Sequence, residues 1–216
     1  MNKSVYSIVL ADDVVEAVDR LAYKIGTSRS NLINQILAER VQLLTPEMRM
    51  REIFSQLEKL MDSRFQISDQ PSDAMISIRS PLKYKYKPTI RYSLELSRDF
   101  QGKVGRLKVQ FRTQSALLVA IINEFFLQWQ NLEGKYLSEI FPDGVPSEVA
   151  DGRFTRDFYS PSQLSDEQIS KAVGEYIQLM DKCIQLYFGG IGDRKSACET
   201  VEDIYSKYLK QGVMVI

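Results

Sequence analysis

The chain has 216 residues, with 28 lysines and arginines against 28 aspartates and glutamates, no histidine and two cysteines. Without histidine the commonest zinc sites and the usual general base are missing, so no metal, cofactor, catalytic residue or enzyme activity is expected. No apolar run is long enough to span a bilayer, and polar residues interrupt the start where a signal peptide needs its apolar core, so a cytoplasmic protein without membrane contact is expected.

Residues 5–10, Val-Tyr-Ser-Ile-Val-Leu, alternate with a period of two. Tyr6, Ile8 and Leu10 share one face, and Val5, Ser7 and Val9 the other. A strand with nothing local to pair with must find a partner, and the simplest is the same segment of a second copy. From Asp12 to Ile25, Val14, Val18, Leu21 and Ile25 fall at helical spacing, with Asp12 and Asp13 in the first turn and Gly26 as the stop. A second helix starts near Ser28 and carries Leu32, Ile36, Leu37 and Val41. Neither helix is long enough to stand alone in water.

The run YSIVLADDVVEAVDRLAYKIGTSRSNLINQILAERV resembles the ribbon-helix-helix family of DNA-binding proteins, the Arc, MetJ and CopG class, over about a fifth of the chain. The resemblance implies a homodimer paired through the N-terminal strand, whose ribbon enters the major groove. It places Val5, Ser7 and Val9 against the bases, and Ser28, Arg29, Ser30 and Asn31 at the backbone. A helix N-terminus independently suits a phosphate oxygen, because its amides are unpaired and its dipole is positive. Lys3 is a further phosphate candidate. Only Ser7 of the base-facing set can hydrogen-bond, so strong base readout is not expected.

Thr45-Pro46-Glu47 fits a helix start, and Ile53, Leu57, Leu60 and Met61 give one stripe, so a connecting helix is expected within residues 45–65. Residues 66–73 suit a linker and a domain boundary. From Ala74 the period becomes two: Ile76 and Ile78, then Leu82, Tyr84 and Tyr86, then Ile90, Tyr92, Leu94 and Leu96, and after Gly102, Leu107, Val109 and Phe111. An antiparallel meander over 74–112 with one buried face is expected. Lys83, Lys85, Lys87, Arg91, Arg106, Lys108 and Arg112 would gather on the opposite face, a second basic surface for phosphate. A rival reading stays open, since residues 92–128 align without a gap onto 6–42 and could be a second ribbon-helix-helix. Tyr84 and Tyr86 would fall in the core rather than stack on bases.

Helices are expected at 115–141, 165–188 and 195–210, the second opened by a capping box at Ser165-Asp166-Glu167-Gln168. The stretch from Gly189 to Ser196 fails the phosphate-loop pattern, because Arg194 stands where a glycine is required, and reads as a helix-turn-helix connection. Charge is segregated: residues 44–130 carry 14 basic and 9 acidic side chains, residues 131–216 carry 9 and 14. Cys183 and Cys198 read as separate thiols, Cys183 an inert core residue.

The sequence therefore predicts an α+β chain: an N-terminal ribbon-helix-helix at 1–44, a connecting helix, and an α+β domain at 74–216 with a small antiparallel sheet packed on helices and a helical C-terminal part. The expected function is DNA binding by a homodimer, a prokaryotic transcriptional regulator at the nucleoid. Alternatives are an antitoxin or scaffold whose acidic helical end holds a protein partner, a tandem ribbon-helix-helix protein, and a ligand-gated regulator.

Overall fold

The computed structural model describes residues 5–68, 74–85, 87–98, 102–160 and 164–211. The chain divides into two compact units, Met1–Met48 and Arg49–Ile216.

In the first unit, residues 5–10 form no strand and make no backbone hydrogen bond among the described residues; the first regular element is α1 (Asp12–Lys24). The expected N-terminal strand is thus not formed within one chain, because a strand exists only by pairing and no other strand lies among the described residues of this unit. Gly26, with φ of +66°, stops α1: the Thr27 amide bonds back to the Ala22 carbonyl at 2.9 Å and the Gly26 amide to that of Tyr23 at 3.2 Å. This pair of bonds is a Schellman motif. The hydroxyl of Ser28 caps α2 (Arg29–Arg40) by accepting from the Asn31 amide at 3.2 Å. At the other end of α2 the same motif recurs with Gln42 in the left-handed region.

Among the described residues of this unit, the buried apolar side chains are Ala22, Leu32 and Ala38. The apolar stripe of the two helices is not covered: Val14, Leu21, Ile25, Ile36, Leu37 and Val41 are all exposed. Fourteen of the twenty exposed large hydrophobics among the described residues fall between Val5 and Leu44, which marks this short segment as the place where the chain lacks a core.

At the division lies α3 (Pro46–Leu60), capped by Thr45, whose hydroxyl accepts from the Met48 amide at 3.2 Å. It is more than the expected connector, because Met50, Ile53, Phe54 and Leu57 join the core of the second unit. That core fills one face of a six-stranded antiparallel sheet. Its spatial order is β1 (Gln66–Ser68), β2 (Met75–Pro81), β3 (Thr89–Leu96), β4 (Lys103–Arg112), β6 (Arg153–Tyr159), β5 (Ser147–Ala150). Side chains from α4 (Ala116–Tyr136), α5 (Asp166–Gly189) and α6 (Arg194–Lys210) complete the core.

Several sequence expectations change here. Residues 66–68 are not linker but pair with Arg79, Ile78 and Ser77, while 69–73 lie outside the described residues. Residues 82–85 and 87 are not in a strand. The Leu82 amide bonds to the Pro88 carbonyl at 2.9 Å and that of Lys87 to Tyr84 at 3.0 Å, closing a turn that links β2 to β3. Leu82 is buried and Tyr84 packs edge-on against Phe188, so alternate side chains reach the core without a strand; Tyr86 lies outside the described residues.

The second ribbon-helix-helix at 92–128 is overturned. β3 pairs with β4 from Thr89↔Arg112 to Leu96↔Gly105, and α4 follows with Ser115 as its cap. A Cβ on Gly105 would lie 2.4 Å from the Glu95 carbonyl oxygen, so this glycine serves a close strand approach. Helix α4 ends at Tyr136 instead of reaching Phe141, since residues 137–141 fold into turns closed by the Phe141 amide on the Leu137 carbonyl at 2.8 Å.

The hairpin β5–β6 turns on Asp151 and Gly152, with φ of 41° and 71°. It carries Phe154, Arg156 and Phe158 on its buried face. Arg156, 1% exposed, pairs at 2.8 Å with Glu133, which has no exposed surface. Its guanidinium lies over the rings of Phe158 and Tyr176 at 4.9 and 5.0 Å. Burial lifts the Glu133 carboxyl above its usual range, against the pull of Arg156. The pair knits β6 to α4 inside the core.

Candidate nucleic-acid interface

In the first unit the positions expected to meet DNA fall on two features. Val5, Ser7 and Val9 are exposed on the extended segment, with Val5 and Val9 fully accessible. Ser28, Arg29, Ser30 and Asn31 do come together as the first turn of α2, but most of their side chains are already engaged. The Ser28 hydroxyl is the cap, the Asn31 amide nitrogen Nδ2 donates to Thr27 Oγ1 at 2.9 Å, and Arg29 is paired with Asp19 of α1. Ser30 stays exposed, and the backbone amides of Arg29 and Ser30 have no hydrogen bond among the described residues. Such a turn offers two free N–H donors and the positive end of a helix dipole. Lys3 lies outside the described residues.

In the second unit the sheet's outer face is set by register. Cross-strand rows on this face read Gln66–Arg79–Arg91–Gln110–Arg153, then Ser68–Ser77–Ser93–Lys108–Thr155, then Met75–Glu95–Arg106–Asp157, with Thr89 opposite Arg112 at the end nearest the β2–β3 turn. The seven cations expected on one face are therefore not one array. Arg91, Arg106, Lys108 and Arg112 are there, whereas Lys83, Lys85 and Lys87 belong to the turn beyond the strands. The Lys83 amide donates to Gln185 Oε1 at 3.1 Å, and Gln185 Nε2 to the Pro81 carbonyl at 3.1 Å, fixing this turn to α5.

Arg79 and Arg153 join the face, and the sequence reading missed both. Arg79 sits in a strand whose alternation does announce an outward cation, but Arg153 belongs to a hairpin signalled only by Asp151-Gly152.

Charge on this face is polarised along the strands. At one end Asp157 takes both Arg106, through two bonds at 2.6 and 3.0 Å, and Lys103 at 2.8 Å. The Arg106 hydrogen bonds hold the Asp157 carboxyl below its usual range, aided by Lys103. At the other end Arg79, Arg91, Arg112 and Arg153 have no acidic partner among the described residues. Burial, then the charges of Arg112 and Arg79, hold the Arg91 guanidinium below its ordinary pKa.

The acidic helical end is largely self-satisfied: Lys135 meets Glu202 at 2.5 Å, Lys207 meets Asp203 at 2.6 Å, and Arg194 meets Glu124 at 2.7 Å. Residues 189–196 form the expected helix connection, with Asp193 capping α6 by accepting from the Ser196 amide at 3.1 Å. Cys183 is buried, its thiol pushed up to about 12 by that burial, and Cys198 donates to Gln128 Oε1 at 3.1 Å. Among the described residues there is no cluster of metal-ligating side chains, and no helix is long and apolar enough to cross a membrane.

No family model, no curated protein and no solved structure matches the chain.

Proposed function

We propose that this protein is a homodimeric DNA-binding protein of ribbon-helix-helix type, acting as a transcriptional regulator. The observation that carries the reading is the uncovered apolar stripe of α1 and α2 beside an unpaired, alternating segment at 5–10. A second copy supplies both missing parts at once: a strand for residues 5–10, and a cover for Ile8, Leu10, Val14, Leu21, Ile25, Ile36 and Val41. Each of these side chains is about half exposed or more, except Leu10 at 38%. Covering them contributes on the order of 1 kcal/mol apiece, enough in sum to hold two short helix pairs together.

In the dimer the ribbon presents Val5, Ser7 and Val9 to the major groove, where the valines can touch thymine methyl groups and Ser7 can hydrogen-bond. The amides of Arg29 and Ser30 take a backbone phosphate. Arg29, held by Asp19, keeps the turn in place and adds its charge when the pair opens.

The test is the native mass by light scattering, together with anisotropy titrations of duplex DNA at several salt concentrations. The native chain is expected as a dimer, with affinity falling by about 0.9 log unit per log unit of salt for each phosphate neutralised. Ile8→Glu is expected to give a folded monomer that binds DNA at least tenfold more weakly. A native monomer at DNA-binding concentrations, or unchanged binding by the variant, would contradict the reading.

A further inference from the structure

The outer face of the sheet holds an arrangement that the N-terminal unit does not explain. Arg79 stands directly across from Arg91 in the β2–β3 ladder, and Arg112 lies one row nearer the β2–β3 turn on β4. Like charges facing each other across strands destabilise a sheet, and the acids of this face lie elsewhere. Glu95 is four residues along β3 from Arg91, about 13 Å in an extended strand. Asp157 is occupied by Arg106 and Lys103, and Glu148 sits across from Thr155 on the edge pair.

A second observation points the same way. Ser77 precedes Arg79 by two residues and so shares its side of β2. It is only 1% exposed, and its hydroxyl has no hydrogen-bond partner. The Nε of Arg91, buried in the same quartet of Ser77, Arg79, Arg91 and Ser93, also lacks one. Buried polar atoms are almost always paired, so two orphans among three guanidiniums without an acidic partner point to an anionic ligand.

We propose that Arg79, Arg91 and Arg112, with the Ser77 hydroxyl beside them, form a phosphoryl-binding site on the open face of the sheet. Guanidinium forks match the oxygens of a phosphoryl group bidentately, and a group with several charged oxygens can serve more than one arginine. A monocarboxylate fills one fork and leaves the others repelling. The site belongs to the second unit and stands whether or not the first unit binds DNA.

The phosphoryl group has two sources, a free phosphate or the phosphodiester of nucleic acid, and two arms on the full chain separate them. In the first, thermal unfolding is followed with rising inorganic phosphate or pyrophosphate at ionic strength held constant with chloride. The native midpoint rises with phosphate, as binding to the folded state requires. Arg79→Gln/Arg112→Gln starts from a higher midpoint without phosphate, because the repulsion is gone, and responds to it no further. Lys182→Gln/Lys195→Gln, with the same loss of charge elsewhere, keeps the response.

In the second arm the salt slope of duplex binding is compared for the same proteins. A slope shallower by about 1 to 2 in Arg79→Gln/Arg112→Gln assigns the site to DNA phosphates. A phosphate response with an unchanged slope assigns it to free phosphate. If the arginine variant and the lysine control behave alike in both arms, the proposal is overturned.

Discussion

Asp181 shows how much one buried group can cost. It lies on α5 without exposed surface and accepts from the Tyr92 hydroxyl at 3.0 Å. Burial raises the pKa of its carboxyl, more than Ser80 and Tyr92 lower it. The folded chain therefore holds a proton there that the unfolded chain has already released, and stability falls as pH rises from the unfolded pKa through the raised folded one. Asp181→Asn keeps an acceptor for Tyr92 and removes the charge. At neutral pH the variant is expected to unfold at a higher temperature than the native chain. The gap should close as the pH drops below about 4, the ordinary range of an aspartate. Equal midpoints at neutral pH would show that the carboxylate is not penalised. At this scale the sequence says little, since Arg29–Asp19 and Arg156–Glu133 join residues whose proximity only the fold creates.

Whole elements were legible where local chemistry decides them. Ser165 and Gln168 form the capping box that opens α5, Thr45 caps α3, and Gly26 ends α1. Alternation misleads where side chains reach the core by another route. Leu82 and Tyr84 do so from a turn, and the periodic match of 92–128 to 6–42 cannot register that Gly105 is needed for strand contact. The hairpin β5–β6 was hidden because its buried face carries Arg156 between two phenylalanines, which breaks the apolar pattern. Its Asp151-Gly152 pair, both in the left-handed region, was the signal that could have found it.

The same backbone region at the end of α2 gives a prediction at this scale. Gln42, with φ of 56°, sits where a side chain costs about 1–2 kcal/mol, whereas glycine costs part of that back in unfolded-state freedom. Gln42→Gly is expected to stabilise the N-terminal unit by about 0.5–1 kcal/mol in denaturant unfolding. A loss of stability would mean that the Gln42 side chain holds the turn by contacts of its own.

For the molecule as a whole, the two units differ in completeness. Among the described residues the second has a core built from six strands and four helices, a buried ion pair and an open basic face. Among its described residues the first has three buried apolar residues and a long apolar exposure, so if it pairs as proposed its stability is expected to depend on protein concentration. On the two proposals function divides accordingly, with DNA recognition in the part proposed to take a second copy and the phosphoryl site in the other. Hydrogen exchange at the amides of residues 5–10, read across a dilution series of the intact chain, tests the pairing most directly. If two copies pair there, alternate amides exchange slowly at high concentration, together with those of α1 and α2, and lose protection on dilution. Exchange at free-chain rates at every concentration would contradict it.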